Sequence, residues 1–205
     1  MTRTVSTSKI RPDERRPYHH PDLRTALLDL GMQLIEARSI EEVGVRELTR
    51  ILGVSPNAVY RHFPDKAALL KALADRGLAQ LGAAHLAALQ EAGGGEAGFI
   101  ATGRSYVCFA QEKPGLFRLM FANLPRSDSG SWHLKDNDAM ELLRENAMAL
   151  VAPIHGEQAA LLFALRSWAL VHGLAMLILD KQVILDDATI DAVIGINDFS
   201  FLGGG

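Results

Sequence analysis

The sequence predicts an all-α protein of roughly nine helices, a compact three-helix unit followed by a larger helical half. Three observations carry this. Apolar residues recur at spacings of three and four along nearly the whole chain, no stretch keeps the strict alternation of a half-buried strand, and Gly and Pro cut the pattern into helical lengths.

Leu23, Leu27, Leu30 and Leu34 share one face of a first helix over about 22–38, with Asp22 after Pro21 as its N-cap. Val45, Leu48 and Leu52 form a short second stripe, and Gly53 stands where a left-handed residue would end it. Ser55-Pro56 then reads as a cap followed by proline at the first helical position. That third helix is brief, because Phe63 precedes Pro64 and a residue before proline is biased out of the helical region. Asp65 caps a long fourth helix to about residue 92, which Gly93-Gly94-Gly95 terminates. Further helices are expected over about 97–111, 114–122, 136–152, 157–180 and 186–199, with a polar, mobile loop at 125–132. No internal repeat is detectable.

Length alone does not choose between one large domain and two small ones, but 48% hydrophobic residues exclude a disordered chain. Cys108 is the single cysteine and cannot close an intramolecular disulfide, and the first twenty residues contain no apolar run that would serve as a signal peptide. A reduced, cytoplasmic setting is the expectation. The net charge of -3 argues against nucleic acid until it is divided along the chain: residues 1–65 carry ten Lys and Arg against nine Asp and Glu, and the rest carries eleven against fifteen. Residues 1–21 form a basic arm with Arg3, Lys9, Arg11, Arg15 and Arg16, either a phosphate contact or a solvated tail, and its three prolines favour disorder.

The stretch GVRELTRILGVSPNAVYRHF, 44–63, is the most informative in the chain. Its two helices are too short to be stable alone and must fold against the first. A tight turn at Gly53-Val54-Ser55 between two such helices is what a helix-turn-helix needs to push its second helix into the major groove. Around that helix Val59 and Phe63 face inward, while Asn57, Ala58 and Arg61 project, flanked by Tyr60 and His62. Asn reads adenine and Arg reads guanine bidentately, and an Ala methyl can meet a thymine methyl. Tyr60, His62 and Lys66 suit phosphates, which fix register without carrying sequence information. Arg46, Thr49 and Ser55 complete the expected DNA-binding set.

The run SPNAVYRHFPDKAALL, 55–70, resembles the signature of the TetR family of transcriptional regulators, with matches at Tyr60, His62, Phe63, Pro64 and Lys66. The resemblance implies phosphate contacts for Tyr60, His62 and Lys66, base or flanking contacts for Asn57, Ala58 and Arg61, and a core position for Phe63. Gly44 departs from the pattern, where a capping Thr that touches phosphate is usual, and Thr49 cannot be assumed to replace it.

The segment EQAALLFALRSWALVHGLAMLILD, 157–180, has two apolar stripes, one through Leu161, Leu165, Trp168, His172, Met176 and Leu179, the other through Ala160, Ala164, Ser167, Val171, Leu174 and Ile178. A surface helix needs one such face, so one stripe is expected on its own subunit and the second, Ala160 to Ile178, on a symmetry mate. A membrane span has the right length, but Arg166 near its centre and the lack of flanking basic residues argue against it. Trp168, His172 and Gly173, with KPGLFRLMF at 113–121, resemble a TetR C-terminal type named for a Trp-His-Gly pattern. The resemblance implies a dimer through the last two helices and an effector cavity among the inner ones. Phe109, Phe117, Met120, Phe121, Trp168 and His172 are the candidate lining, against the alternative that they are ordinary core.

No metalloprotease motif, phosphate-cradling loop or nucleophile elbow is present, so catalytic residues, metal ligands and cofactors are not expected. The expected organisation is an arm at 1–21, a helix-turn-helix domain at 22–66 with the connecting helix from 65, and an effector-binding and dimerisation domain at 67–205. The expected partners are double-stranded operator DNA, a small-molecule effector and a second copy of the chain, without a membrane. A DNA-binding architectural protein without a ligand, or a helical enzyme, is the alternative.

Overall fold

A computed structural model of the chain describes residues 22–37, 43–122 and 138–195. Among these are nine helices and no strand. The expected basic arm, the loop at 125–132 and the end of the last helix lie outside the described residues.

Local chemistry sets the first four helices. Asp22 caps α1 (Leu23–Ala37), its carboxylate accepting from the Thr25 N–H at 3.1 Å. Gly44 precedes α2 (Val45–Leu52) without a side-chain cap, and Gly53 ends it at φ 67, where a Cβ would be strained. The Ser55 hydroxyl accepts from Ala58 N–H at 3.3 Å to start α3 (Pro56–Tyr60). Asp65 accepts from Ala68 N–H at 2.7 Å and starts α4 (Lys66–Glu91). These three helix starts and the α2 stop lie where the sequence puts them.

The larger half contains α5 (Gly95–Glu112), α6 (Pro114–Ala122), α7 (Asp138–His155), α8 (Glu157–Leu179) and α9 (Asp187–Gly195). Helix α7 runs past the expected stop at 152 and carries Pro153 in its last turn. A proline there costs one N–H bond of a turn that is already fraying, and Gly156 supplies the break before α8.

Helix α4 packs on α1, α5, α6 and α7, while α8 packs on α5 and α7. One continuous core runs from Leu27 on α1 through Phe63, Leu73 and Phe117 to Ile194 on α9, and a smaller cluster of Phe99, Ala147, Phe163 and neighbours lies between α5, α7 and α8. The recognition unit therefore shares its core with the larger half. Helix α6 bridges the two, because it touches both α1 and α4. At Gly115 a Cβ would stand 3.0 Å from the Ile35 carbonyl oxygen, so glycine sets how closely α6 approaches α1. Lys113, just before α6, donates to Gln80 at 3.0 Å and lies 3.8 Å from Glu36 at the end of α1.

The face of α8 expected to meet a partner is instead buried within the protomer. Ala160 and Ala164 are fully enclosed, Ser167, Val171 and Leu174 are buried, and Ile178 is half-buried. The small side chains permit close approach, as the sequence suggests, but of α5 and α7 rather than of a symmetry mate. The exposed row is Leu162, Arg166, Ala169, Gly173 and Leu177. By length and composition α8 is long and apolar enough to cross a membrane, and in this fold one stripe of it, about a third of its apolar stretch, is buried inside the protomer.

Candidate nucleic-acid interface and central cavity

Val59 and Phe63 are buried and pin the short α3 to the core, which turns Asn57, Tyr60, Arg61 and His62 outward together. Tyr60 keeps 48% of its surface exposed although it is a large aromatic. Ala58 is only half-buried, so its methyl remains at the surface. The Arg61 Nε donates to the Asn57 carbonyl oxygen at 3.4 Å, which lays the guanidinium back along its own helix. Lys66 is exposed at the first position of α4, and Arg46 is exposed on α2. Ser55 has its hydroxyl engaged as the α3 cap. The Thr49 hydroxyl donates to the Arg46 carbonyl oxygen at 2.8 Å, so a phosphate contact there requires breaking that bond. Arg24, which no sequence motif singles out, stands 5.5 Å over the Phe63 ring and brings a cation from α1 to the same unit.

This surface combines what duplex recognition needs: a protruding short helix with amide and guanidinium groups, flanked by hydroxyl, imidazole and ammonium groups. None of the carboxylates among its described residues is buried. Among the described residues no group of three or more His, Cys, Asp or Glu is placed to hold a metal.

The larger half holds a cavity of about 30 Å³, room for one or two waters. His85 of α4, Thr102 and Tyr106 of α5, Asn146 of α7 and Ser167 of α8 supply its polar groups, and Phe99, Met140, Leu143, Trp168 and Val171 supply apolar wall. Burial pushes the His85 imidazole down to about 4, so it is neutral near pH 7. Its Nε2 and the Ser167 Oγ are buried without a hydrogen-bond partner. Such groups cost free energy unless something fills their bonds.

Of the six residues expected to line an effector site, only Trp168 faces this cavity. Phe117, Phe121 and His172 pack around Tyr106, with His172 stacked on Phe117 at 5.8 Å and edge-on to Phe121 at 4.7 Å. Met120 packs against Gly77, and Phe109 is buried with the Lys113 ammonium 5.5 Å from its ring centroid. They are core, as their apolar character allowed, because rings on α5, α6 and α8 fill the space between those helices. The Trp168 indole N–H donates to the Tyr106 hydroxyl at 3.4 Å, and the hydroxyl lies 2.8 Å from His172 Nδ1. An indole nitrogen only donates, so the Tyr106 oxygen accepts from it and leaves its own O–H able to donate to Nδ1 of the neutral His172 ring, which burial favours by lowering the His172 pKa. Trp168 and His172 thus fix one tyrosine from two sides.

The cavity residues missed from sequence were partly legible. Ser167 stands in the stripe already identified on α8, and His85 continues the buried line of Leu78 and Leu81 on α4. A polar residue inside an apolar stripe is the signal.

Two family models match the chain: bacterial regulatory proteins of the tetR family over residues 27–73, and a tetracyclin repressor-like C-terminal domain over 99–194. The second match supports the C-terminal assignment in general and not the Trp-His-Gly subtype. A comparison with curated proteins gives no match. Among solved structures, a protein of unknown function from Rhodococcus sp. RHA1 is 32% identical with a TM-score of 0.71, the alignment covering 92% of this chain and 98% of that one. A structure described as a candidate regulatory protein, SCO4313, shares the fold at 19% identity and a TM-score of 0.65, covering 92% of this chain and 99% of its own. With the exposed recognition helix and both domain matches in place, the chain belongs to the TetR family and is a helix-turn-helix transcription regulator.

Proposed function

We propose that the protein is a cytoplasmic homodimeric repressor that binds a palindromic operator through α2 and α3 and is released from it by a small molecule held in the larger half. The observation that carries the ligand response is a chain of packing from the cavity to the recognition unit. Tyr106 lines the cavity and meets Phe117 of α6 edge-on at 5.4 Å, and α6 lies against α1 through Gly115 and Ile35. A ligand that shifts Tyr106 therefore moves α6, and with it the base of the helix-turn-helix. Helix α4 is a second route, since His85 lines the cavity and Lys66 begins the same helix. Coupling of this kind is typically about 1–3 kcal/mol, and operator DNA must weaken the ligand by the same factor.

The dimer is assigned to the exposed row of α8, with α9 beside it. Leu162 and Leu177 would otherwise leave apolar surface in water, and Gly173 has open space beyond its Cα that lets another backbone come close. A two-fold dimer sets its recognition helices about one helical turn, ~34–36 Å, or a multiple of it apart.

Mapping bound sites across the source genome and footprinting the strongest one tests the reading. The expected result is a two-fold symmetric footprint whose protection is lost when a molecule bound in the larger half is added. An asymmetric footprint overturns the dimeric operator complex. A symmetric footprint that no bound molecule alters leaves a DNA-binding architectural protein.

A further inference from the structure

The cavity has a chemistry more specific than its size. Its wall comes from α4, α5, α7, α8 and α9, and among the described residues no Asp, Glu, Lys or Arg is part of it. Three of its polar side chains already make a hydrogen bond. Thr102 donates to the Phe99 carbonyl oxygen at 2.7 Å, the Asn146 amide N–H donates to the Leu142 carbonyl oxygen at 2.8 Å, and the Tyr106 hydroxyl is held between Trp168 and His172. Two others are buried with a polar atom unpaired. His85 and Ser167 are 95% and 96% buried, and their Nε2 and Oγ have no partner.

An ion entering this space would give up its hydration and find no opposite charge. A pure hydrocarbon would leave both polar atoms unpaired. A neutral imidazole nitrogen bonds as donor or acceptor according to its tautomer, and a serine hydroxyl does both, so the pair suits a group that itself accepts or donates without charge.

We propose that the cavity binds an uncharged molecule with an apolar body and one hydroxyl or carbonyl group, which supplies a hydrogen-bond partner to the unpaired His85 Nε2 and Ser167 Oγ. This rests on the sensor reading above and names the ligand chemistry of that site. The ligand is small. An apolar cavity of about 150 Å³ holds benzene, so the walls must open to admit even one ring. Met140, with three rotatable bonds, is the wall residue best able to yield.

The test uses the full-length protein with Trp132→Phe, which leaves Trp168 as the sole tryptophan and reports on the cavity it lines. The probes are 4-methylphenol, 4-methylcyclohexanone, toluene, 4-methylbenzoate and 4-methylbenzylammonium, followed by Trp168 fluorescence and by thermal shift. The phenol or the ketone is expected to bind about tenfold or more tighter than toluene and than either ion. Ser167→Ala and His85→Phe, each made separately, should erase most of the preference over toluene while leaving toluene binding in place. Two variants are needed because a phenylalanine at 85 could disturb packing that alanine at 167 would not. Equal or tighter binding of the benzoate or the ammonium overturns the proposal. So does a preference that survives in both variants, or the absence of binding by every probe. Failure of the sensor reading looks different: the phenol binds with the expected preference, but operator affinity does not change.

Discussion

In the recognition unit Asn57, Tyr60, Arg61 and His62 stand exposed on and beside a helix of five residues, whereas in the larger half His85, Ser167 and Tyr106 are buried around a cavity walled by five helices. The first set is positioned by two inward anchors, Val59 and Phe63, and by the Ser55 and Asp65 caps at the starts of α3 and α4. The second set is positioned by packing, with hydrogen bonds to Trp168 and His172 at Tyr106 only, and the His85 and Ser167 polar atoms are buried without a partner. An exposed reading surface must bind a charged polymer and stay hydrated until it does, so its side chains tolerate substitution. A buried sensing surface stores the cost of unpaired polar atoms, which a ligand relieves. The two regions should accordingly respond to mutation in opposite currencies, the first in affinity and the second in stability.

The largest effect expected from this contrast is at Leu174. A glutamate there places an unpaired charge inside the protomer and should cost about 4 kcal/mol or more in urea unfolding at fixed protein concentration. Ala169→Glu, on the exposed row of α8, should leave the fold near normal and yield a monomer in sedimentation. A folded, monomeric Leu174→Glu protein would return the dimer face to the buried stripe and break the contrast.

The next largest effect is a pH dependence confined to the larger half. His85 has a folded-state pKa of about 4, below the ordinary 6.5, so the unfolded chain binds the extra proton between these values. Stability contributed by the neutral ring is complete above pH 6.5 and is lost as pH falls toward 4, by about 3 kcal/mol in all. Burial shifts His172 the same way. Relative to the unmodified protein, His85→Phe should flatten the stability curve over pH 4–6.5, and parallel curves would show that the ring is hydrated.

Smaller effects of about 2 kcal/mol are expected in DNA binding. Asn57→Ala should relax base preference, while Lys66→Ala should weaken all sequences alike and lower the salt slope by about one. Neither should shift the unfolding midpoint appreciably. If Asn57→Ala weakens every sequence equally, the amide is a positioning group and not a reader.

The smallest effect sharpens the comparison from within the recognition unit. Ser55→Ala removes the α3 cap and should cost about 1 kcal/mol, read by thermal unfolding. Because α3 is so short, operator affinity should fall with it, joining the two currencies at one residue.

The amino-acid sequence by itself determined the helical class, most of the element boundaries and the outward residues of α3. The reason is locality: Asp22, Gly53, Ser55 and Asp65 act on backbone groups within four residues, and Val59 with Phe63 fixes which way a five-residue helix faces. Tertiary structure decided that both apolar stripes on α8 pack within the protomer, and that the exposed row is a third one, Leu162 to Leu177. The helical period is the same for all three rows, and only the presence of α5 and α7 against Ala160, Ala164 and Ser167, and of Tyr106 beside Trp168 and His172, distinguishes them. The same holds for the cavity. Phe117 and Phe121 look like pocket residues in isolation, but Tyr106 and His172 arrive from distant positions to fill the space beside them. A void is what packing fails to fill, and that depends on residues from α4, α5, α7, α8 and α9 at once.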